Sequence, residues 1–436
     1  MSDLGDLRGM LRGRVLVAGE EGFEAAARPW NLAIEQPVAA VVEAAGADDV
    51  SALVRHARRC GLTVAVQPTG HGASGAVEGV VLLRTGALDG VEVDPVRRTA
   101  RVGAGVAWGR VQEAAAAYGL TGLPGSSPVV GVVGYTLGGG LSWFGRRHGW
   151  AADGVRAFEV VDAGGGRARV DAASDPDLFW ALRGGGGDFA VVTSVEFDLY
   201  PAPELYGGRV VWPASAAARV MEAFAEVVSG APEELTVWAN LQQIPGLDPT
   251  VSVDVTFLGG EERARKLLRP LEAVGAPLRD GRGTMSSAAL GSITAEPTAP
   301  SPGMARAELL RGWDGDAVRA LVEEPPAPLL GVQVRHLGGA LARESATPFG
   351  AVEEPYYVYA LGVPVSARAA QGIRERLGRL VADLGPLVSG RKPLTALAPG
   401  ESVADVFGPE ALARLRRIKR ERDPHGVVRS NYPVGG

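Results

Sequence analysis

The stretch QPTGHGASG, residues 67–75, decides how the chain is interpreted. It follows directly on the apolar segment Leu62–Val66, which has the length and composition of a buried strand. Three glycines and small neighbours let consecutive backbone N–H groups converge on an anion, as in loops that hold phosphates. Taken alone, the stretch fits either a phosphate cradle or a tight surface turn that contains an incidental histidine.

The segments around this stretch alternate between strand-like and helix-like patterns. The strand-like segments Val38–Val42 and Leu62–Val66 flank the helical run Asp48–Cys60, and the hydrophobic period changes from 2 to about 3.6 and back. A second unit follows, with a strand at Thr99–Val102, a helix at Trp108–Tyr118 and strands at Phe158–Asp162 and Val191–Leu199. The first unit therefore has βαβ-like wiring, and the order as a whole predicts two α/β subdomains that divide near residue 100.

The composition changes at Pro201-Ala202-Pro203, which predicts a linker. Later strands are predicted at Gly208–Trp212, Leu235–Leu241, Val251–Phe257, Val332–Leu337 and Tyr357–Leu361. The helix predicted at Arg368–Leu384 has one apolar face. We therefore expect an α+β chain with a first domain at 1–203 and a second at 204–400, whose antiparallel sheet is covered by helices on one face. A C-terminal segment at 401–436, with a basic helix at Pro409–Arg422, is expected to return to the first domain.

Bulk composition excludes several function classes. The chain has 44 basic and 50 acidic residues, a net charge of −6, and neither sign forms a long block, which argues against a nucleic-acid partner. Its single cysteine, Cys60, excludes an intrachain disulfide and a multi-cysteine metal site. No apolar run has the length of a signal peptide or a membrane span, so a cytoplasmic protein with no membrane partner is expected.

Two more glycine-rich stretches follow the first. The segment LPGSSPVVGVVGYTLGGG, residues 123–140, is rich in glycine, which costs conformational entropy when the chain folds. So many glycines indicate that the backbone must lie close to a flat or extended partner. The segment DLFWALRGGGGDF, residues 177–189, ends a predicted helix with four glycines, more than a helix C-cap requires. From the residues alone, the chain is a glycine-rich dinucleotide cradle beside a second domain.

In order and spacing, the three stretches resemble the FAD-binding half of the vanillyl-alcohol oxidase superfamily, in its berberine bridge enzyme-like and 6-hydroxynicotine oxidase-like branch. The resemblance covers about residues 30–200 and returns at 335–360 and 405–433. It implies a PCMH-type FAD-binding domain and FAD as the cofactor. It also implies a flavoprotein oxidoreductase, for which a role in specialised metabolism is expected. The large excess of arginine over lysine indicates the codon bias of a GC-rich bacterial genome.

The resemblance assigns cofactor contacts residue by residue. His71 matches the histidine that bonds the flavin 8-methyl group, and the loop around it matches the pyrophosphate loop. The implied cofactor-binding set is Pro68, Thr69, Gly70, His71, Gly72, Ala73, Ser74, Gly75, Gly125, Ser126, Ser127, Val130, Gly131, Gly134, Tyr135, Gly138, Val192 and Asn431. Ser127 stands where bicovalent relatives have a second, cysteinyl attachment, so a monocovalent flavin is implied. Val130 matches a small position that leaves room for dioxygen in the oxidases.

Some positions depart from the pattern of the resemblance. Arg84 and Asp188 stand where relatives more often have Asp and Asn or Gly, respectively. The tyrosine that many relatives have just before the final helix is missing, with Phe407 near its place. This last departure weakens any transfer of the catalytic base.

The base is therefore sought on two predicted strands of the second domain. Tyr357 and Tyr359 alternate with Tyr356 and so share one face of a strand. A nearby cation such as Arg335 is expected to lower a tyrosine pKa and favour a base. Glu354 and His336 are the other candidates, and core or interface aromatics remain the alternative interpretation for each tyrosine.

The expected function is an FAD oxidase that takes a hydride from a C–OH or C–N centre of a small molecule and passes electrons to dioxygen. A dehydrogenase or desaturase with another acceptor and a flavin-bearing binding or electron-transfer module are the alternatives. An NAD-dependent Rossmann enzyme is disfavoured because no glycine follows three residues after Gly105. Serine-hydrolase and metal chemistry lack their motifs, since there is no G-x-S-x-G elbow around Ser74 or Ser126 and the five histidines are scattered.

Overall fold

The computed structural model describes residues 2–435, with side chains from residue 6 onward. Its strands are β1 (Arg14–Val17), β2 (Ala40–Glu43), β3 (Val64–Val66), β4 (Val81–Arg84), β5 (Val91–Asp94), β6 (Thr99–Gly103), β7 (Leu120–Thr121), β8 (Val155–Val161), β9 (Arg167–Val170), β10 (Val191–Asp198), β11 (Tyr200–Pro201), β12 (Leu205–Pro213), β13 (Leu235–Gln242), β14 (Thr250–Leu258), β15 (Arg279–Asp280), β16 (Gly283–Thr284), β17 (Met304–Leu310), β18 (Gly331–His336), β19 (Tyr356–Gly362) and β20 (Val428–Arg429). Its α-helices are α1 (Ser2–Met10), α2 (Phe23–Ala27), α3 (Ala47–Cys60), α4 (Trp108–Ala116), α5 (Val132–Leu137), α6 (Gly145–His148), α7 (Pro176–Leu182), α8 (Ala217–Ser229), α9 (Glu261–Leu267), α10 (Arg269–Glu272), α11 (Gly291–Thr294), α12 (Gly315–Val322), α13 (Ala367–Leu384) and α14 (Pro409–Arg422).

The first sheet positions the loop at residues 67–75. Its order is β1-β2-β4-β3-β20, and every pair except β1–β2 is parallel. Parallel strands present their carboxyl ends at the same edge of a sheet. The loop after β3 and the residues after β20 therefore leave the sheet side by side, although more than 350 residues separate them in sequence.

The second sheet, with the order β5-β6-β10-β8-β9, is antiparallel throughout. Its buried side chains share a core with α4, α5, α7 and α14. Leu415 and Ile418 of α14 belong to this core, so the C-terminal helix packs on the N-terminal half of the molecule.

The third sheet has eight strands, in the order β15-β12-β14-β13-β18-β19-β17 with β16 also paired to β12, and all of its pairs are antiparallel. One face packs on α8, α12 and α13, whose apolar sides share its core. The other face, called here the inner face, is turned toward the second sheet and contributes Leu309 and Tyr357 to that core.

The α+β class, with helices on one face of an antiparallel sheet, is confirmed. The strands predicted in the second domain are present with shifts of at most three residues at their ends, and α14 has the predicted bounds. The sequence patterns missed β17, the edge strand, in which Arg306 and Glu308 interrupt the apolar residues. They also missed α5, a helix of six residues within the glycine-rich stretch at 123–140. The predicted domain limits at 203 and 400 stay a prediction.

Candidate active site

A cavity of about 330 Å³ lies where the three glycine-rich stretches meet. The sequence-predicted residues that line it are Pro68, Thr69, Gly70, His71, Gly72, Val130, Gly131, Gly134, Tyr135, Gly138, Val192 and Asn431. Ala73, Ser74 and Gly75 lie outside the lining. Gly125, Ser126 and Ser127 line a separate, much smaller cavity beside Trp108.

His71 is held in the cavity wall by two neighbours. Its ring stacks on the Trp30 ring, with centroids 4.3 Å apart and 17° between the planes. Its Nδ1 lies 2.8 Å from Thr69 Oγ1, while its Nε2 is buried without a hydrogen-bond partner. Burial lowers the pKa of His71 to about 4, so the imidazole is neutral at physiological pH.

Gly70 allows this stacking. Its φ is +81°, and a Cβ there would lie 2.8 Å from Pro29 Cα. The Trp30 N–H donates to the Thr69 carbonyl oxygen at 2.9 Å, which brings the Trp30 backbone against the loop. A residue with a side chain at position 70 would separate these segments and move the Trp30 ring away from His71.

Arg84, one of the two departures from the family pattern, supports the same loop. Its guanidinium donates to the carbonyl oxygens of Gln67, Ala26, Ala27 and Arg28. Burial lowers the pKa of Arg84 to about 10, which still leaves the group charged at neutral pH. The arginine therefore ties the start of the loop to the segment that leads to Trp30.

The C-terminal segment closes over the loop. The Gln67 Nε2 donates to Asn431 Oδ1 at 2.9 Å, and the Ser74 hydroxyl donates to the Asn431 carbonyl oxygen at 2.6 Å. Asp188, the other departure, accepts from the backbone N–H of Ser430 at 2.9 Å and of Val434 at 3.0 Å. An asparagine or glycine at position 188 would accept fewer of these bonds, so Asp188 fixes the segment that places Asn431 in the cavity.

Several cavity residues have buried polar atoms without partners in the described part of the chain. They are Gln67 Oε1, His71 Nε2, Tyr135 OH, Arg429 Nε and Ser430 Oγ. A buried polar group without a hydrogen bond costs free energy, about 1–3 kcal/mol each. No sequence pattern pointed to Arg429, Ser430 or the lining residues Leu394, Thr395 and Leu397. The last three belong to a short 3₁₀ turn and its C-cap, a segment that carries no motif.

The candidate residues of the second domain lie on the inner face of the third sheet. The Tyr357 and Tyr359 rings are parallel within 11°, with centroids 6.5 Å apart, and the Arg335 guanidinium lies 5.3 and 5.9 Å from their centroids. Arg335 is also 4.1 Å above the Trp238 ring. The structure thus brings three of the four predicted catalytic residues together.

The prediction that Arg335 lowers the tyrosine pKa is wrong in its net direction. Burial raises the pKa of both Tyr357 and Tyr359, and the Arg335 charge only opposes that rise. Desolvation of a phenolate in this core outweighs attraction by one cation.

Glu354 and His336 lie apart from the cavity lining. Glu354 is buried and pairs with Arg391 at 3.4 Å. His336 Nε2 is 3.0 Å from Arg146 Nη1. Burial, and to a smaller extent the positive charge of Arg146, lowers the pKa of His336 to about 3. Both side chains therefore already have structural partners.

Among the described residues, no helix is long and apolar enough to cross a membrane. Within the same part of the chain, no group of three His, Cys, Asp or Glu side chains is arranged to hold a metal ion.

Comparisons with known proteins agree with this arrangement. A family model described as an FAD binding domain matches residues 38–171. The chain is 27% identical to (R)-6-hydroxynicotine oxidase of Paenarthrobacter nicotinovorans, over 97% of both chains. It is 30% identical to an FAD-dependent monooxygenase of Fusarium proliferatum, over 95% of this chain and 88% of that one. The crystal structure of berberine bridge enzyme from Eschscholzia californica superposes with a TM-score of 0.85 at 20% identity, covering 99% of this chain and 98% of that chain.

Proposed function

We propose that this chain is a covalent flavoprotein oxidase of a small metabolite. The chain belongs to the FAD-dependent oxidoreductases of the vanillyl-alcohol oxidase superfamily, in their berberine bridge enzyme-like branch. The cofactor it holds would be FAD, attached through His71 alone. The substrate would be oxidised at a C–OH or C–N centre. Dioxygen would be the electron acceptor, in the cytoplasm of a bacterium with specialised metabolism.

The observation that carries this proposal is the set of unpartnered polar atoms around the cavity. Gln67 Oε1 can accept a hydrogen bond from a flavin ring, and the Asn431 amide can hydrogen-bond with the same ring. Arg429 Nε can donate a hydrogen bond to a phosphate oxygen. The backbone from Gly70 to Gly72 lines the same cavity and leaves no side chain between it and a ligand, apart from His71. The residues present therefore fit a dinucleotide with one reactive ring.

His71 is suited to act as the tether. Only a neutral imidazole nitrogen with a free lone pair can form a bond to carbon, and burial keeps this ring neutral. If Nδ1 carries the proton and donates it to Thr69 Oγ1, then the unpartnered Nε2 has the lone pair. Trp30 fixes the ring plane by stacking. Thr69 and Trp30 thus orient the nucleophile.

A second tether has no support in the described side chains. Ser127 is a hydroxyl rather than a thiol, its Oγ is buried without a partner, and it lines the smaller cavity. The sole cysteine, Cys60, is in α3, with its Sγ 3.6 Å from His56 Nε2. Attachment through His71 alone is therefore proposed.

The chemistry that FAD would supply when bound is two-electron transfer: a hydride from the substrate carbon would reach the flavin, and two electrons with two protons would then convert dioxygen to hydrogen peroxide. The side chains of the inner face would bind and orient the substrate. Tyr357 and Tyr359 would hydrogen-bond its heteroatom. To act as the base, one of them would first release its own phenolic proton to solvent and would then take up the heteroatom proton as a phenolate. Arg335 would offset part of the cost of a phenolate beside it. Val130, in the cavity wall, would leave room for dioxygen.

The test has two parts. The protein is purified, denatured and washed, and its visible spectrum and intact mass are recorded. A yellow chain heavier by one FAD supports the proposal, and a colourless chain of unmodified mass overturns the tether. Hydrogen peroxide is then measured under air beside reduction of an artificial acceptor. Turnover with the acceptor but without peroxide would identify a dehydrogenase instead.

A further inference from the structure

We propose that Arg335 binds a carboxylate group of the substrate, so that the enzyme acts on an anionic small molecule. This inference rests on the proposed function, because it assigns a chemical class to the substrate of the same site. It follows from the arrangement of charges and rings across the inner face of the third sheet.

Two neighbouring rows of residues cross this face. Directly opposed residues in an antiparallel sheet share a face, so strand pairing identifies each row. The first row is Arg209, Asp254, Trp238, Arg335, Tyr357 and Leu309, and the second is Val211, Ser252, Asn240, Gln333, Tyr359 and Ala307. Arg335 therefore has an aromatic ring on both sides within its own row.

A chain of hydrogen bonds along these rows fixes the Arg335 side chain. Arg209 donates twice to Asp254, at 2.5 and 2.8 Å, and Asn240 Nδ2 donates to the same carboxylate at 3.0 Å. The Gln333 Nε2 then donates to Asn240 Oδ1 at 2.6 Å, and the Arg335 Nε donates to Gln333 Oε1 at 2.5 Å. The last bond uses only Nε of Arg335.

The rest of the guanidinium has no anionic partner. Among the side chains of residues 6–435, no carboxylate forms an ion pair with Arg335, and its Nη1 and Nη2 make no hydrogen bond within that part of the chain. Asp254, which lies in the same row, is occupied by Arg209 and Asn240. A cation in a half-buried position without a counterion is unfavourable unless a ligand supplies the charge.

The open groups lie where a substrate can reach them. Gln333, Arg335 and Tyr359 are half-buried, whereas most of the residues on the helix-covered face are fully buried. Tyr357 and Tyr359, which flank Arg335, pack in the same core as Tyr135 and Leu397 of the cavity wall, so this part of the inner face adjoins the cavity. The cation therefore faces the space between the sheet and the flavin cavity.

The geometry favours a carboxylate among anions. The guanidinium is stacked over Trp238, which itself stacks on Trp143 at 3.4 Å, so one face of the Arg335 group is covered. Its free Nη atoms form an edge that matches the two oxygens of a planar carboxylate. The parallel phenol rings of Tyr357 and Tyr359 beside the guanidinium suit a planar, aromatic or unsaturated skeleton next to that carboxylate.

The test uses benzoate, benzamide and phenyl phosphate as probes of the purified holoprotein. Binding is followed by perturbation of the flavin spectrum and, independently of the flavin, by titration calorimetry. Benzoate is expected to bind about 10-fold or more tightly than benzamide, since a charged hydrogen-bonded pair is gained. Arg335→Gln should remove that preference and Arg335→Lys should keep part of it.

The matched control is Arg263→Gln. Arg263 lies 5.4 Å from the Phe257 ring of the same sheet, and Phe257 belongs to the helix-covered core. This variant should bind benzoate as the wild type does.

Three results would each overturn the inference: equal binding of benzoate and benzamide, no benzoate binding at millimolar concentration, or unchanged benzoate affinity in Arg335→Gln. Tighter binding of phenyl phosphate than of benzoate would overturn the choice of a carboxylate. Protein without flavin would count against the proposed function, while calorimetry would still report on Arg335.

Discussion

The cavity wall and the inner face of the third sheet are built in opposite ways. The wall uses mainly backbone and glycine from short continuous stretches, and His71 is the one histidine among its lining residues. The inner face uses polar and aromatic side chains from strands far apart in sequence, from Arg209 to Tyr359. A cofactor shared by many enzymes can be held by backbone, whereas a particular substrate needs side chains. Variants in the wall should therefore change the cofactor, and variants on the face should leave it bound.

The largest expected effect is at His71. His71→Ala removes the proposed tether, so covalently held FAD should fall from complete occupancy to none, while the glycine loop still binds FAD reversibly. In-gel flavin fluorescence and intact mass after denaturation measure this directly.

His148→Ala is the control for that change. Burial lowers the pKa of His148 to about 4 as well, and its ring stacks on Tyr200 at 4.0 Å, but it does not line the cavity. This variant should keep its tethered FAD. Flavin that stayed attached in His71→Ala would place the tether elsewhere.

The second effect is on the inner face. Asp254→Asn leaves Arg209, paired with it at 2.5 and 2.8 Å, without a counterion in a site where Asp254 is fully buried. Breaking one partner of a buried pair costs about 3–5 kcal/mol of unfolding free energy. Denaturant unfolding followed by tryptophan fluorescence measures the loss, and the folded fraction should keep its FAD.

Asp89→Asn is the matched control. Asp89 pairs with Arg110 at 3.3 Å, and both side chains are more than half exposed. Exposed pairs contribute about 0–1 kcal/mol. If Asp254→Asn unfolded at the wild-type denaturant concentration but lost FAD, the separation between wall and face would be wrong.

The third effect tests the backbone of the wall. Gly70→Ala forces a side chain into a left-handed conformation, which costs roughly 1–2 kcal/mol, and brings its Cβ within 2.8 Å of Pro29 Cα. We expect a lower unfolding midpoint and incomplete FAD attachment, because Trp30 no longer stacks on His71. Gly86→Ala, where a Cβ meets nothing within 4 Å, should match the wild type in both measurements. Full attachment in Gly70→Ala would show that the stacking is dispensable.

The same contrast explains what the sequence could reveal. His71, Gly70 and Asn431 were predicted because motifs keep cofactor-binding residues at fixed spacing, and the structure gathers them at one cavity. Trp238 and Asp254 could not be predicted, since each is a single residue in a strand and its role depends on which strands pair. Arg84 and Asp188 looked like departures from a pattern, and their hydrogen bonds to backbone become visible only when the chain is folded. Burial in the folded chain also raises the pKa of Tyr357 and Tyr359, whereas the sequence led us to expect that Arg335 would lower it.

The smallest expected effect is on the pH dependence of the unfolding free energy, through protonation of His336. His336 is 8% exposed, and burial with Arg146 beside it lowers its pKa to about 3, while an unfolded histidine titrates near 6.5. As pH falls below 6.5 the unfolded chain binds the proton first, so the folded state loses stability from there down toward pH 3. Between pH 7 and 5.5 this one group accounts for about 1 kcal/mol. Its replacement should flatten the pH dependence of the unfolding free energy by that amount.

His336→Gln keeps an acceptor for Arg146, and His425→Gln, at an exposed histidine, controls for the loss of one imidazole. An equal slope in His336→Gln and the wild type would mean that His336 takes up a proton without unfolding, and that its site beside Tyr356, on the helix-covered side of the sheet, is wetter than its burial indicates.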